Sequence, residues 1–344
     1  MKALTVNHNK KLTVIDLPKP KYNKNQALVK LVSCGICGTD QSLIEQKFKG
    51  FTEDNYPLVL GHEGVGRIVE VGSDVKHLEV GDIVLLPFND KEGIAYDGID
   101  YGWGAFAEYG VVNDFSVTEQ FDFPEAVYAQ QVIPNHIDTK EAAMLVTLRE
   151  VYSAVNYFQI ETDASVVIIG SGPVAQTFTK VMQLMGIQSI IAVVRNDKKE
   201  EIMYEYGATS VVNTSKENLK EKIKKQYPDG VDFVLDAVGT STIVNDAMHL
   251  IKDRGEILCY GVPKSSQMNL DWSGAPYNWK LNFQQMPSKE EEGKSLQSIL
   301  QWIEEGKINL TDFISDYYDF EEVVQAFKDY TEGKITKKAV IVFE

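Results

Sequence analysis

The pattern of apolar and polar residues changes near residue 150. Before that point, apolar residues alternate with polar ones in short segments such as 27–32 and 66–71, which Gly, Asp and Asn residues separate. Alternation with a period of two is typical of strands with one buried face, and frequent turn residues separate short antiparallel strands. The first part of the chain is therefore predicted to form a distorted β-barrel or a β-sandwich.

From about residue 163, short β-branched apolar runs alternate with stretches of helical character. One helical stretch extends to about residue 185, and another covers 198–206. The predicted strands are 165–169, 189–194, 210–212, 230–236 and 255–261. Alternation of this kind predicts βαβ units around a parallel sheet.

The C-terminal part is predicted to return to the first domain. A predicted helix at 289–306 leads through 320–333 to a last apolar strand at 339–343. The sequence thus predicts an α/β protein in which a doubly wound domain is inserted into a mainly β domain.

The composition narrows the possible functions. The 344 residues suggest about two domains, and 44% hydrophobic with 24% charged residues is typical of a globular protein. A net charge of −16 argues against nonspecific binding to nucleic acid or anionic lipid. The chain has no apolar run near the roughly 20 residues that span a bilayer, and three cysteines are too few for a disulfide framework. We expect a cytoplasmic protein with no nucleic-acid or membrane partner.

A glycine-containing turn follows the first strand of the predicted parallel sheet. Gly170 and Gly172 begin the pattern G-x-G-x-x-A, which continues through Pro173 and Val174 to Ala175. In such a turn the first Gly permits a tight bend, the second lets the backbone approach a pyrophosphate, and the small last residue packs helix against strand. Between two apolar strands, this pattern predicts a dinucleotide site at the start of a helix.

The end of the second strand discriminates between the two nicotinamide cofactors. An acidic residue there would bind the adenosine ribose of NAD(H), but Val194 ends the strand and Arg195 follows. Arg195, helped by Lys198 or Lys199, could bind a 2′-phosphate. Asp197 weakens this interpretation, and the alternative is a solvated helix start. We predict NADP(H) in preference to NAD(H).

Two clusters in the first domain contain residues that bind zinc. Cys37 lies in the segment 35–40, and His62 and Glu63 lie in the segment 61–66. Either cluster alone is weak evidence, because a Cys-x-x-Cys pair such as Cys34 and Cys37 also occurs in redox sites and an isolated His is usually structural. Together, thiolate, imidazole and carboxylate are ligands that suit Zn²⁺.

With the glycine turn, these clusters resemble the zinc-dependent medium-chain dehydrogenase/reductase family. Further shared motifs are V-G-D-I-V from Val80, G-A-F-A-E-Y from Gly104 and K-A-V-I from Lys338, so that the resemblance covers nearly the whole chain. It implies a GroES-like β-rich catalytic domain at 1–148 and 288–344 and an inserted Rossmann domain at 149–287. It also implies a homodimer or homotetramer.

The resemblance implies roles for the residues of both clusters. Cys37 and His62 would ligate a catalytic zinc, and Glu63 would be a nearby or alternating ligand. Asp40 would orient His62, as metal-bound imidazoles usually require. Zinc of this kind lowers the pKa of an alcohol, so that hydride can pass to a nicotinamide.

The resemblance also implies a path for the alcohol proton. Thr39 would accept it directly. Ser42 stands where several alcohol dehydrogenases place a relay histidine, so a relay would pass through Thr39, Ser42 and water or cofactor hydroxyls.

The sequence departs from the family at the third zinc ligand. Val146 stands where Cys or Glu is usual, and valine has no atom that binds zinc. Either Glu63 ligates directly, or Glu150, one helical turn beyond Val146, reaches the site. We favour Glu63, with Glu150 near the substrate, although a salt bridge with Arg149 would also explain Glu150.

A second departure concerns residues 85–120, which contain no cysteine. We therefore expect one catalytic zinc and no structural zinc. The acidic and aromatic segment 89–103 is expected to form a loop over the pocket or a subunit contact.

The predicted function is zinc-dependent hydride transfer between NADP(H) and a secondary alcohol or ketone. Three carboxylates, Glu63, Glu108 and Glu150, could bind several hydroxyls, which favours a polyol, sugar or cyclitol as substrate; Glu108 could instead position the backbone. One alternative is a zinc-free, NADPH-dependent enone or quinone reductase. Another is a non-catalytic cofactor-binding relative, because fold alone does not determine function.

Overall fold

A computed structural model describes residues 1–86, 88, 99–100, 104–115, 126–263, 265 and 267–343. The predicted loop at 89–103 lies outside the described residues, apart from 99 and 100. The chain divides into two compact units, one formed by Met1–Arg149 with Ser288–Glu344 and the other by Glu150–Pro287.

The N-terminal part of the first unit consists mainly of short antiparallel strands, as the alternating pattern predicts. Its elements are β1 (Lys2–Val6), β2 (Leu12–Asp16), β3 (Gln26–Gly35), α1 (Gly38–Ile44), β4 (Leu58–Val59), β5 (Gly64–Val71), β6 (Ile83–Leu85), β7 (Tyr109–Asn113), α2 (Ala126–Ala129) and β8 (Val132–Ile133). Helix α3 (Met144–Tyr157) begins in the first unit and continues into the second. The longest strand, β3, pairs with β5 on one side and with β7 in a further antiparallel ladder.

The second unit contains a parallel sheet with helices between its strands. Its elements are β9 (Ser165–Ile169), α4 (Pro173–Leu184), β10 (Ser189–Val194), α5 (Asp197–Glu205), β11 (Ser210–Asn213), α6 (Leu219–Gln226), β12 (Val231–Asp236), α7 (Ser241–Ala247), β13 (Ile251–Cys259) and β14 (Lys280–Phe283). The strand order is β11-β10-β9-β12-β13-β14. This is the doubly wound order in which the connection reverses between the first and fourth strands, and ligands bind at that reversal.

The edge strand β14 was not predicted from the sequence. It has four residues, of which Lys280 and Asn282 are polar, and none of its side chains is fully buried. A strand this short has no periodic signal, so only its pairing with β13 makes it recognisable.

The C-terminal part returns to the first unit, as predicted. Its elements are α8 (Lys289–Glu304), β15 (Ile314–Asp319), α9 (Val323–Thr331) and β16 (Lys338–Val342). The last strand pairs antiparallel with β3, where Val340 lies opposite Gly35. The resulting sheet has the order β15-β16-β3-β5-β6-β8, with β7 attached to β3, and a separate sheet has the order β2-β1-β4.

Each unit has its own apolar core. In the first, Ala27 and Val29 of β3 pack with Ile68 and Val84 from the neighbouring strands. In the second, Val167 and Val234 from the centre of the parallel sheet pack with Val244 of α7. Among the described residues, no helix combines the length and apolar character needed to cross a membrane.

Candidate active site

The first turn of α1 is tied to the loop before β5 through one buried carboxylate. Asp40 is the third residue of α1, and its Oδ2 accepts a hydrogen bond from the backbone N–H of Cys37 (3.0 Å), which precedes the helix. Its Oδ1 accepts from the N–H of Gly61 (3.2 Å). Asp40 is fully buried. It therefore caps the helix and holds the two sequence clusters together.

Cys37, His62 and Glu63 converge beside this cap. One ligand atom from each residue lies within 4.8 Å of those of the other two. The Nδ1 atom of His62 lies 3.4 Å from Asp40 Oδ1, so the carboxylate lies beside the imidazole ring. Thiolate, imidazole and carboxylate are donor groups that suit zinc. The donor set therefore fits zinc.

The loop that carries His62 depends on Gly61. Its φ is +100°, and a Cβ at this position would lie 2.4 Å from the backbone nitrogen of Phe106. Both the dihedral angle and the close approach require glycine. The residue after it can then turn toward Cys37.

Glu63 is held by two residues that the sequence interpretation missed. Lys338 Nζ lies 2.7 Å from both carboxylate oxygens, and the Thr147 hydroxyl donates to Oε1 at 2.9 Å. The side chains of Glu63 and Lys338 are each 1% exposed. On the opposite side, a Cβ on Gly35 would lie 2.2 Å from Oε2. The carboxylate is thus fixed in orientation from several sides.

Burial and ion pairing shift the pKa values of Glu63 and Lys338 in opposite directions. Burial raises the pKa of the Glu63 carboxyl, but Lys338, His62 and the Thr147 hydroxyl together hold it below its usual value. Burial lowers the pKa of Lys338, but Glu63 outweighs that effect and raises it. Both groups are therefore charged at neutral pH.

Strand pairing explains why Lys338 reaches Glu63. Gly35 N donates to the carbonyl of Glu63 (3.2 Å), and Ile36 N donates to the carbonyl of Ala339 (3.0 Å). The end of β3 therefore lies between the residue that precedes β5 and the start of β16. A lysine in an otherwise apolar strand was the available signal, because lysine is rarely buried unless paired.

The predicted proton-transfer residues lie on α1. Thr39 is half-buried two residues beyond Cys37, and Ser42 is buried on the next turn. Tyr330 approaches the same turn from α9, since its hydroxyl would lie 3.6 Å from a Cβ on Gly38. Burial raises the pKa of Tyr330, so its phenol is protonated.

Cys34 differs from Cys37 in its surroundings. Cys34 is fully buried in β3, and burial together with the nearby carboxylate of Asp40 raises the pKa of its thiol well above the usual value. The converging donor atoms belong to Cys37, His62 and Glu63, so the geometry favours Cys37 as a ligand.

Two predicted substrate contacts are not members of the Cys37–His62–Glu63 group. The Glu108 carboxylate accepts a hydrogen bond from the backbone N–H of Lys2 (2.7 Å), which favours a backbone-positioning role. Glu150 is half-buried on α3 and is the first residue of the second unit. Val146 lies one turn earlier, is fully buried and contributes no donor atom.

The predicted glycine turn joins β9 to α4. Gly170 has a φ of +135°, and a Cβ there would approach Val238 at 3.2 Å. Gly172 caps α4 and Pro173 is its first residue. A Cβ on Gly172 would meet no atom within 4 Å, so the space before the helix is open. An open helix N-terminus next to the strand-order reversal fits a dinucleotide pyrophosphate.

Several charged residues follow the end of β10 in the chain. Arg195 and Lys198 are exposed, and Lys199 is half-buried with its N–H bonded to the Asn196 side chain. The carboxylate of Asp197 is 2.5 Å from Lys216 Nζ. That lysine, which follows β11 and was not predicted, also lies 3.7 Å from Glu200, so it is shared between two carboxylates.

Comparisons with known proteins agree with this architecture. Residues 23–120 match the family described as alcohol dehydrogenase GroES-like domain, and residues 173–280 match the one described as zinc-binding dehydrogenase. The two matched segments together cover more than half of the 344 residues.

Individual relatives support the same assignment. Glucose 1-dehydrogenase 2 of Vulcanisaeta moutnovskia is 28% identical over 283 residues, which are 78% of each chain. D-arabinitol dehydrogenase 1 of Uromyces fabae is 25% identical over 349 positions, covering 99% of this chain and 97% of its own. The crystal structure of 2R,3R-butanediol dehydrogenase from Bacillus subtilis has the same fold, with a TM-score of 0.80, 19% identity and 99% coverage of both chains.

A GroES-like domain joined to a Rossmann domain defines a zinc-type alcohol dehydrogenase architecture. This chain belongs to the zinc-dependent medium-chain dehydrogenase family, which confirms the predicted family and fold class. It is accordingly an oxidoreductase of the alcohol dehydrogenase type.

Proposed function

We propose that this protein is a zinc-dependent dehydrogenase that transfers hydride between NADP(H) and a secondary alcohol or ketone, with a polyol or sugar as substrate. The observation that carries the proposal is the convergence of Cys37, His62 and Glu63 donor atoms within 4.8 Å. Residues from two separate clusters meet there because Asp40 bonds to both.

Cys37, His62 and Glu63 would hold the metal. Bound zinc supplies a Lewis acid that lowers the pKa of an alcohol, and the nicotinamide supplies the hydride acceptor. Asp40 orients the His62 ring. The Thr39 hydroxyl, two residues from Cys37, would accept the alcohol proton while passing its own proton on, through Ser42, to water or cofactor hydroxyls.

The second unit would hold the cofactor. The turn of Gly170 and Gly172, with Pro173 and Val174 opening α4, binds the pyrophosphate through backbone N–H groups. Arg195 binds the 2′-phosphate through its guanidinium, because Arg matches phosphate geometry with paired donors. Lys199 adds positive charge on the following turn.

The proposed substrate class rests on the sequence relatives. Two of them are named for glucose and D-arabinitol, which both carry several hydroxyls. D-arabinitol and 2-pentanol are a suitable pair for comparison, since both have five carbons but differ in hydroxyl number.

Turnover and metal removal test the proposed function together. We expect NADP-linked oxidation of at least one polyol or sugar with kcat/KM at least about tenfold above that for 2-pentanol, because additional hydroxyls add hydrogen bonds that increase transition-state binding. Chelation should lower kcat at least about a hundredfold, and added Zn²⁺ should restore it. Steady-state kinetics with matched zinc analysis measures both. Faster oxidation of 2-pentanol than of every polyol would contradict the substrate class.

One observation favours a second candidate, a zinc-free NADPH-dependent enone or quinone reductase. Val146 has no donor atom, and both oxygens of Glu63 already contact Lys338. Metal-free protein that reduces enones or quinones at full rate would support this candidate. Absence of NADP-linked turnover with alcohols, enones and quinones would instead indicate a non-catalytic relative.

Cofactor preference should depend on Arg195. Substituting glutamine removes the cation proposed to bind the 2′-phosphate, so we expect KM for NADP to rise about tenfold while KM for NAD changes less than about twofold. Arg254→Gln is a matched control, because that side chain is 87% exposed in the same unit. Kinetics with both cofactors provides the measurement. An unchanged ratio of the two KM values would remove Arg195 from the proposal.

A further inference from the structure

The Glu63 carboxylate already accepts hydrogen bonds from two buried residues, Lys338 and Thr147. Its Oε1 accepts from both Thr147 and Lys338, and its Oε2 accepts from Lys338. An ionised carboxylate has about four acceptor positions. Three are therefore occupied by these two residues, and a metal ligated by Glu63 has to use the remaining one or displace a donor.

Charge adds to this competition. Lys338 Nζ is 2.7 Å from the same oxygens that would bind the metal, and the pair is 1% exposed. Water does not screen charges at such a site, so an ammonium group opposes the approach of a divalent cation more strongly than it would at the surface.

Because valine stands at the usual third ligand position, the site needs Glu63 as a ligand, and competition for Glu63 affects metal binding. Val146 is fully buried and cannot coordinate. Cys37 and His62 remain as the other two ligands. The affinity of the site for zinc then depends on how readily the Glu63 carboxylate can bind the metal in addition to Lys338 and Thr147.

We propose that Lys338 and Thr147 are positioning residues that set the metal affinity of the Cys37–His62–Glu63 group by holding Glu63 in a buried ion pair that the metal must share. This inference rests on the proposed zinc site. It assigns a role to the lysine that opens the K-A-V-I motif and to the threonine that follows Val146 in the chain.

Metal affinity in five proteins tests the inference. The set consists of the wild type, Lys338→Met, Lys338→Arg, Thr147→Val and Thr147→Ser, each prepared without metal. The Kd for Zn²⁺ is measured by competition with a chromophoric chelator. Absorption of the Co²⁺ derivative in the visible range reports the ligand geometry independently of activity.

We expect Lys338→Met to bind Zn²⁺ at least about tenfold more tightly than the wild type, because the competing cation is gone. Thr147→Val should bind at least about fivefold more tightly, since one charge-assisted hydrogen bond to the carboxylate is removed. Lys338→Arg and Thr147→Ser retain the charge and the hydroxyl, so their Kd values should stay within about threefold of the wild type. The Co²⁺ spectrum should change in the Met and Val variants only.

The possible results separate this inference from the proposed function. A wild type that binds no Zn²⁺ at all would overturn the zinc site itself. A wild type with one bound Zn²⁺ and equal or weaker binding in Lys338→Met and Thr147→Val would leave the zinc site intact and overturn the competition. If Lys338→Met does not fold, Thr147→Val compared with Thr147→Ser decides the question.

Discussion

Replacement of Cys37 by alanine should lower kcat/KM at least about a thousandfold, which corresponds to roughly 4 kcal/mol of lost transition-state stabilisation. Within the described part of the chain, the thiolate is one of the three donor groups that the structure brings together at the candidate centre, and Val146 offers no substitute. Without it, the proposed site has two ligands and should also lose its bound zinc.

Cys34→Ala is the matched control for this experiment. Its thiol lies three residues away, is fully buried in β3, and donates to the backbone carbonyl of Gly35. Removing it should leave the zinc content at one equivalent and alter kcat/KM less than about threefold, because no ligand is lost. Steady-state kinetics and zinc analysis of both variants check the prediction. Retention of zinc and of wild-type kcat/KM in Cys37→Ala would refute the assignment of the ligand.

Removal of the Lys338 charge should lower the free energy of unfolding of the metal-free first unit by about 3–5 kcal/mol, because it leaves a buried carboxylate unpaired. The double variant Glu63→Gln/Lys338→Met should recover at least about 2 kcal/mol of that loss, since neither partner is then charged. Glu63 and Lys338 are each 1% exposed, so water cannot replace the missing partner.

Hydrogen exchange of peptides from β3 and β16 measures this effect in the first unit alone. Lys334→Met is a suitable control, because Lys334 is 58% exposed and its contacts with Asp329 and Glu332 lie at the surface. Salt bridges at the surface contribute about 0–1 kcal/mol to the free energy of unfolding, so Lys334→Met should have only a small effect. Loss of less than about 1 kcal/mol in Lys338→Met, or additive effects in the double variant, would show that the pair does not stabilise the fold.

The Glu63–Lys338 ion pair also predicts that the free energy of unfolding depends on pH. The pKa of Glu63 is lowered in the folded state, so its contribution is present above the unfolded value of about 4.3 and is lost as pH falls through the lower folded value. The pKa of Lys338 is raised, so its contribution is present below about 10.4 and is lost as pH rises through the higher folded value. The stability difference between wild type and Lys338→Met should therefore be largest between these limits.

Much of the fold could be predicted from local patterns. The alternation of apolar runs with helical stretches predicted five strands of the parallel sheet, and an apolar C-terminal run predicted β16. The edge strand β14 escaped prediction because four residues are too few for their polar–apolar alternation to be distinguished from chance. Its existence depends on hydrogen bonds to β13, and those are properties of the assembled sheet.

Much of the candidate site was also accessible from short motifs. Cys37, Asp40 and His62 lie in two clusters whose roles were implied by the family resemblance, and the structure brings these residues together. By contrast, Thr147 and Lys338 had no assigned role, since they lie 84 and 275 residues from the carboxylate that they hold. The position of Lys216 beside Asp197 was likewise unpredicted, although its chain separation is smaller.

The sequence by itself determined the glycine turn between β9 and α4 and the types of ligand, because these depend on the conformations and donor atoms of residues that are close in the chain. Only the tertiary structure decided which residues bind the Glu63 carboxylate and keep it charged. Pairing of β16 with β3 positions Lys338, and the packing of α3 positions Thr147, so that both meet one buried carboxylate. A change near residue 150 in the pattern of apolar residues indicated two domains, but which charged groups neutralise each other in a buried site depends on contacts between distant segments.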